Sequence, residues 1–152
     1  MYNENYIDFA KGKNFLRASS AIFIFACIQN VLTGLFMLFG YITMIFDIVY
    51  QNEAIIYCLA GIFFLVIGII EGYCAYLGFK NANSTDEKDI KDCFKWGIIL
   101  ILVIILDYGI GYIINGLYGV SVFSLIRFIF PILYLVGVNQ NKKSIDSNDF
   151  NN

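Results

Sequence analysis

Histidine is absent from the 152 residues, and with it every Ser/His or Cys/His nucleophilic pair and the commonest metal-ligating side chain. Charge is scarce: 14% of residues, where a soluble domain carries roughly a quarter. The ten basic residues are outnumbered by twelve acidic ones, so there is no basic stripe for nucleic acid, and that class of partner is set aside. Four cysteines (Cys27, Cys58, Cys74, Cys93) form neither a C-x-x-C pair nor a metal-ligand spacing. Three of them lie within apolar runs, where cysteine acts as a small hydrophobe, so unpaired structural thiols are expected. No glycine-rich phosphate loop occurs. No metal and no cofactor is expected.

What is present is apolar surface: 59% of residues are hydrophobic and 18% aromatic, more than one soluble core of this size can hide. Lipid is the solvent that accommodates it. Trp96–Ile114 is apolar but for Asp107, and at about 1.5 Å per residue its length matches the hydrocarbon of a bilayer. Three further runs, about 18–46, 54–79 and 122–138, read as spans. The expected fold is all-α: a four-helix transmembrane bundle, antiparallel and up-down, occupying 18–138. Residues 1–17 read as an interfacial helix or a solvated segment, and 139–152 as a polar, disordered tail. Ser84-Thr85-Asp86-Glu87 is positioned to cap a short helix in the middle loop. Ile24-Phe25-Ala26-Cys27 looks like a lipoprotein cleavage box. Phe25 departs from that pattern and the apolar run continues well past Cys27, so a retained first span is expected.

Lysine and arginine set the orientation. Outside the spans they occur in the N-terminal segment, the middle loop (Lys80–Lys95) and the tail, and in neither of the other two turns. By the positive-inside rule both termini and the middle loop face the cytoplasm.

Three ionisable side chains fall inside the spans: Glu71, Asp107 and Arg127. Short turns make consecutive spans antiparallel neighbours, so depth can be counted from each turn. Counted from the last turn, Asp107 and Arg127 share a level, where an acid and an arginine can pair away from water. Counted from the first turn, Glu71 lies opposite Gln29, with Asn30 one residue away, and amide donors can hold its carboxyl whether ionised or protonated. Gly68, Gly72 and Ala75 form a small-residue strip beside Glu71, with G-x-x-x-G spacing. Gly61 lies two turns before Gly68, and Gly111 one turn beyond Asp107. The five polar groups read either as a clamp that fixes helix pairing or as a proton or ion relay. Catalysis is disfavoured: G-x-G-D is absent, and the two acids lie at different depths, whereas a carboxylate dyad shares one proton at one level.

The glycine-laced second span (Ala60-Gly61-Ile62, then Gly68-Ile69-Ile70-Glu71-Gly72) and the ending Phe130-Pro131-Ile132-Leu133-Tyr134-Leu135-Val136-Gly137 resemble the small four-span membrane proteins of unassigned function found in many bacteria. The resemblance implies a cytoplasmic-membrane bundle and brings no catalytic or binding residues with it. Usage rich in Ile, Asn, Tyr and Phe looks like that of an AT-rich bacterial genome. Claudin-like and MARVEL-like proteins share the helix count, but the chain lacks the large cysteine-bearing outer loop of claudins. The expected function is non-enzymatic: an interaction or accessory protein, or an immunity-type subunit, whose partner is another membrane protein or a second copy. The alternative is a small oligomeric proton-coupled or ion transporter or channel using Glu71, Asp107 and Arg127.

Overall fold

The computed structural model describes residues 10–46, 51–84, 86–115 and 127–149, with side chains at 10–46, 53–84, 86–109 and 127–144. Four helices account for nearly all of them, and no strand occurs among the described residues: α1 Lys13–Met44, α2 Gln51–Lys80, α3 Glu87–Asn115 and α4 Ile129–Asp149. The fold is all-helical. Residues 1–9 of the expected interfacial segment 1–17, most of the first turn, and 116–126, which hold most of the last turn and the start of the expected fourth span, lie outside the described residues.

Helix α1 begins at Lys13, five residues before the expected first span, and α4 begins at Ile129, with Arg127 and Phe128 in a turn where the fourth span was expected to run from 122. Two further boundaries differ from the sequence expectation. Helix α3 begins nine residues before Trp96, so the capping motif starts this long helix and not a separate short one. Asp86 is the cap: its carboxylate accepts from the Lys88 backbone N–H at 2.9 Å, satisfying one of the first-turn donors that an α-helix leaves without an internal partner. Ser84 Oγ accepts from Asp86 N at 3.1 Å and donates to Asp89 Oδ2 at 2.8 Å, so the loop is tied to the first turn. Acidic Glu87 and Asp89 stand at the positive end of the helix dipole. The second difference is at the chain end: α4 continues to Asp149, through the stretch expected to be disordered, for a reason given below.

The chain divides into two compact units. One, residues 23–73, is an antiparallel hairpin of α1 from Phe23 and α2 up to Tyr73. Its helices meet through glycine. A Cβ on Gly34 would lie 2.8 Å from the Gly61 carbonyl oxygen, and one on Gly68 2.9 Å from Val31 Cγ2 and 3.2 Å from the Cys27 carbonyl oxygen. Backbones approach this closely only where no side chain intervenes. Gly61, Gly68 and Gly72 thus form one contact stripe of α2, facing Leu38, Gly34, Val31 and Cys27 of α1.

The other unit holds the start of α1 through Ile22 and everything from Cys74 onward. Here the ends of α1 and α2 pack with α3 and α4 as a four-helix bundle. Its centre is Tyr134 of α4, fully buried. The ring is admitted because Gly78 and Gly97 carry no side chain: a Cβ on Gly78 would lie 2.7 Å from Tyr134 Cε2, and one on Gly97 3.1 Å from Cδ1. Leu16, Leu100 and Ile104 are among the other buried apolar side chains of this unit.

Candidate functional site

Three sets of bonded polar side chains lie between the helices, one in the hairpin and two in the bundle unit. In the hairpin, Glu71 (2% exposed) accepts a hydrogen bond at Oε2 from Asn30 Nδ2 at 2.6 Å. Helix pairing through Gly68 and Gly72 brings the side chains flanking those glycines together, which places Asn30 and Glu71 at the contact. The hydrogen bond to Oε2 comes from Asn30. A depth count is good to about one residue, but one residue turns a helix position by about 100° and moves it to another face. Gln29 is on that other face, exposed, its carbonyl accepting from Thr33 Oγ1. Cys27 lies against Gly72 in the same hairpin.

In the bundle unit, Arg127 Nη1 and Asp107 Oδ2 stand 2.9 Å apart, with 29% and 20% of the two side chains exposed. The residues next to them reinforce the alignment: Tyr108 and Phe128 stack with ring centroids 5.0 Å apart. Ala75 is buried in this unit. The surroundings of Gly111 lie outside the described side chains. Because the pair is part-exposed, removing either partner should cost about 1–2 kcal/mol, less than for a dry pair. Asp107→Ala and Arg127→Ala are each expected to destabilise more than the double substitution, since each single change strands a charge. Strictly additive losses in a detergent melting experiment would mean the two side chains act independently.

The third cluster has no counterpart in the sequence reading. Asn141, fully buried on α4, accepts from the Gly12 backbone N–H at Oδ1 (2.7 Å) and donates from Nδ2 to the Ala82 carbonyl (3.0 Å). One amide thus ties together the segment before α1, the turn after α2, and the C-terminal helix. Gly12 is required there, since its would-be Cβ falls on the backbone of Gly137. This anchorage is why α4 does not stop at Val138, and Ser144, one turn on, is buried as well. Beside it Asn81 Nδ2 donates to Cys93 Sγ at 3.6 Å, and Cys93 Sγ donates to the Leu77 carbonyl at 3.7 Å. Burial pushes the Cys93 thiol above its ordinary pKa. Cys74 Sγ donates to the Trp96 carbonyl at 3.4 Å. The four cysteines are free thiols.

On the exposed surface of α3, Lys91 hydrogen-bonds Glu87 at 2.7 Å and holds its carboxyl below the ordinary value. Among the described residues no group of three or more His, Cys, Asp or Glu side chains is arranged to hold a metal ion. No family model, characterised protein or solved structure matches the chain.

Two helices, Lys13–Met44 and Glu53–Lys80, are long and apolar enough to cross a membrane. Their apolar windows are only 17% and 22% buried within the molecule.

Proposed function

We propose that the chain is a non-enzymatic integral protein of a bacterial cytoplasmic membrane, with four spans and both termini in the cytoplasm. Its role is to engage a membrane partner, as an accessory or immunity-type subunit. The observation that carries this reading is the outward disposition of apolar side chains. A core helix of a soluble protein is apolar because it is buried, whereas α1 and α2 are apolar and mostly uncovered. Phe25 and Phe36 are each more than 70% exposed, and Ile69 is 67% exposed. Water does not tolerate so continuous a surface on a monomer; lipid does.

The charge distribution supports the orientation. None of the ten basic residues falls in 23–73, and all ten belong to the other unit. The reading as a partner subunit is supported by the bonding of the interior groups to one another. Asn30 bonds Glu71 and Arg127 pairs with Asp107, so these side chains serve as cross-links that define which helices meet. The transport reading keeps one observation in its favour, the partial exposure of the Asp107–Arg127 pair. The Glu71 substitutions argued below separate the two.

Orientation is tested by labelling single cysteines introduced into a cysteine-free background. Glu53→Cys is expected to react with an impermeant maleimide in intact cells, and Asn83→Cys and Lys142→Cys only after the membrane is opened. Reaction of Asn83→Cys in intact cells would reverse the topology.

A further inference from the structure

We propose that the face formed by the segment before α1 and the polar part of α4 docks the headgroups of anionic phospholipids, with Lys11, Arg17 and Lys142 as its cationic groups. The inference rests on the membrane reading above. The juxtaposition comes from the Asn141 amide: Lys11 and Lys142 are the immediate neighbours of the two residues joined by the 2.7 Å Gly12–Asn141 hydrogen bond. Two cations 131 positions apart in sequence, the difference between 142 and 11, are thereby attached to adjoining buried residues. Arg17 follows five residues after Gly12, roughly 7.5 Å along α1.

All three side chains are exposed, and none forms an ion pair among the described residues. Three of the described acids of the same unit are engaged elsewhere. Glu87, which faces Lys142, is bonded to Lys91; Asp86 caps α3; Asp89 accepts from Ser84. Asp92 is exposed a turn further along α3. Among the described acids none is bonded to Lys11, Arg17 or Lys142.

Depth selects the ligand. Arg17 immediately precedes the apolar run that begins at Ala18, so in a bilayer its guanidinium lies at the level of the lipid phosphates. A planar guanidinium grips two phosphate oxygens at once, and the lysines add point charges on either side. A zwitterionic headgroup offers the same phosphate but brings its own cation, which the lysines repel. Selectivity for anionic lipid follows.

The test uses the full chain reconstituted into nanodiscs of phosphatidylcholine, with and without phosphatidylglycerol, and into phosphatidylcholine discs with added inorganic phosphate. Phosphatidylglycerol is expected to raise the melting temperature and to be enriched around the protein. That enrichment should fall about fivefold for each of Lys11→Gln, Arg17→Gln and Lys142→Gln. Arg17→Lys should retain most of it. Equal melting in both discs, or enrichment untouched in the triple variant, would overturn the proposal. So would a rise reproduced by inorganic phosphate, which would make the face a site for free anions. A chain that stays in water and does not enter phosphatidylcholine discs would overturn the membrane reading itself, an outcome distinct from the others.

Discussion

Asn141→Ala is expected to destabilise the protein by about 2–4 kcal/mol, because it removes both hydrogen bonds of a fully buried amide. The loss exceeds that of two ordinary hydrogen bonds. The Gly12 N–H and the Ala82 carbonyl stay in place and become unsatisfied, and each such group costs about 1–3 kcal/mol. Asn141→Asp tests the geometry separately. It keeps the acceptor for Gly12 N–H, but it turns a carboxylate oxygen toward the Ala82 carbonyl, where the amide donated. It should therefore fare no better than alanine. Truncation after Val138 should cost at least as much as either substitution. Melting in detergent, followed by circular dichroism, measures all three. Unchanged melting after truncation would mean that 139–149 is the dispensable tail its composition suggests.

That contrast marks what was legible in the residues. Apolar runs placed α1 and α2 to within a few residues, since a hydrophobic stretch reports directly on where backbone groups must be satisfied internally. Counting from the last turn put Asp107 and Arg127 at one level, and they stand 2.9 Å apart. The same count put Gln29 opposite Glu71 where Asn30 is found, because depth is a one-dimensional measure and rotation about the helix axis is not contained in it. The glycines that set the rotation, Gly34, Gly61 and Gly68, are visible in the sequence, but which of them face one another is known only once two helices are paired.

The extension of α3 back to Glu87 and of α4 out to Asp149 share another cause. Both stretches are rich in charge and amide, and the helical signal in sequence is carried by apolar periodicity. A helix whose inward face is Asn141 and Ser144 shows no such period. The Ser84–Asp86 cap was readable, and what it capped was not. Tyr134 was equally hidden: its burial depends on the absence of side chains at Gly78 and Gly97, on two other helices.

Glu71→Gln and Glu71→Ala together decide between the clamp and the relay. The carboxyl is 2% exposed and accepts from Asn30 at 2.6 Å, beside two glycines through which α1 and α2 approach each other closely. Glutamine keeps the length of the side chain and an oxygen able to accept the Asn30 bond. If the pair is a helix clamp, Glu71→Gln should melt within about 1 kcal/mol of the parent and retain whatever the protein does in the cell. Alanine should cost about 2–4 kcal/mol, since it leaves the Asn30 amide without this acceptor and opens a void between the helices. If the acid instead cycles between charged and neutral forms, glutamine removes the one property the cycle needs while sparing the fold. The variant would then be folded and inactive, and proton flux into liposomes carrying the parent protein would be lost. The two readings agree on alanine and part on glutamine: a folded, active Glu71→Gln eliminates the relay, and a folded, inactive one eliminates the clamp as the whole account of this carboxyl.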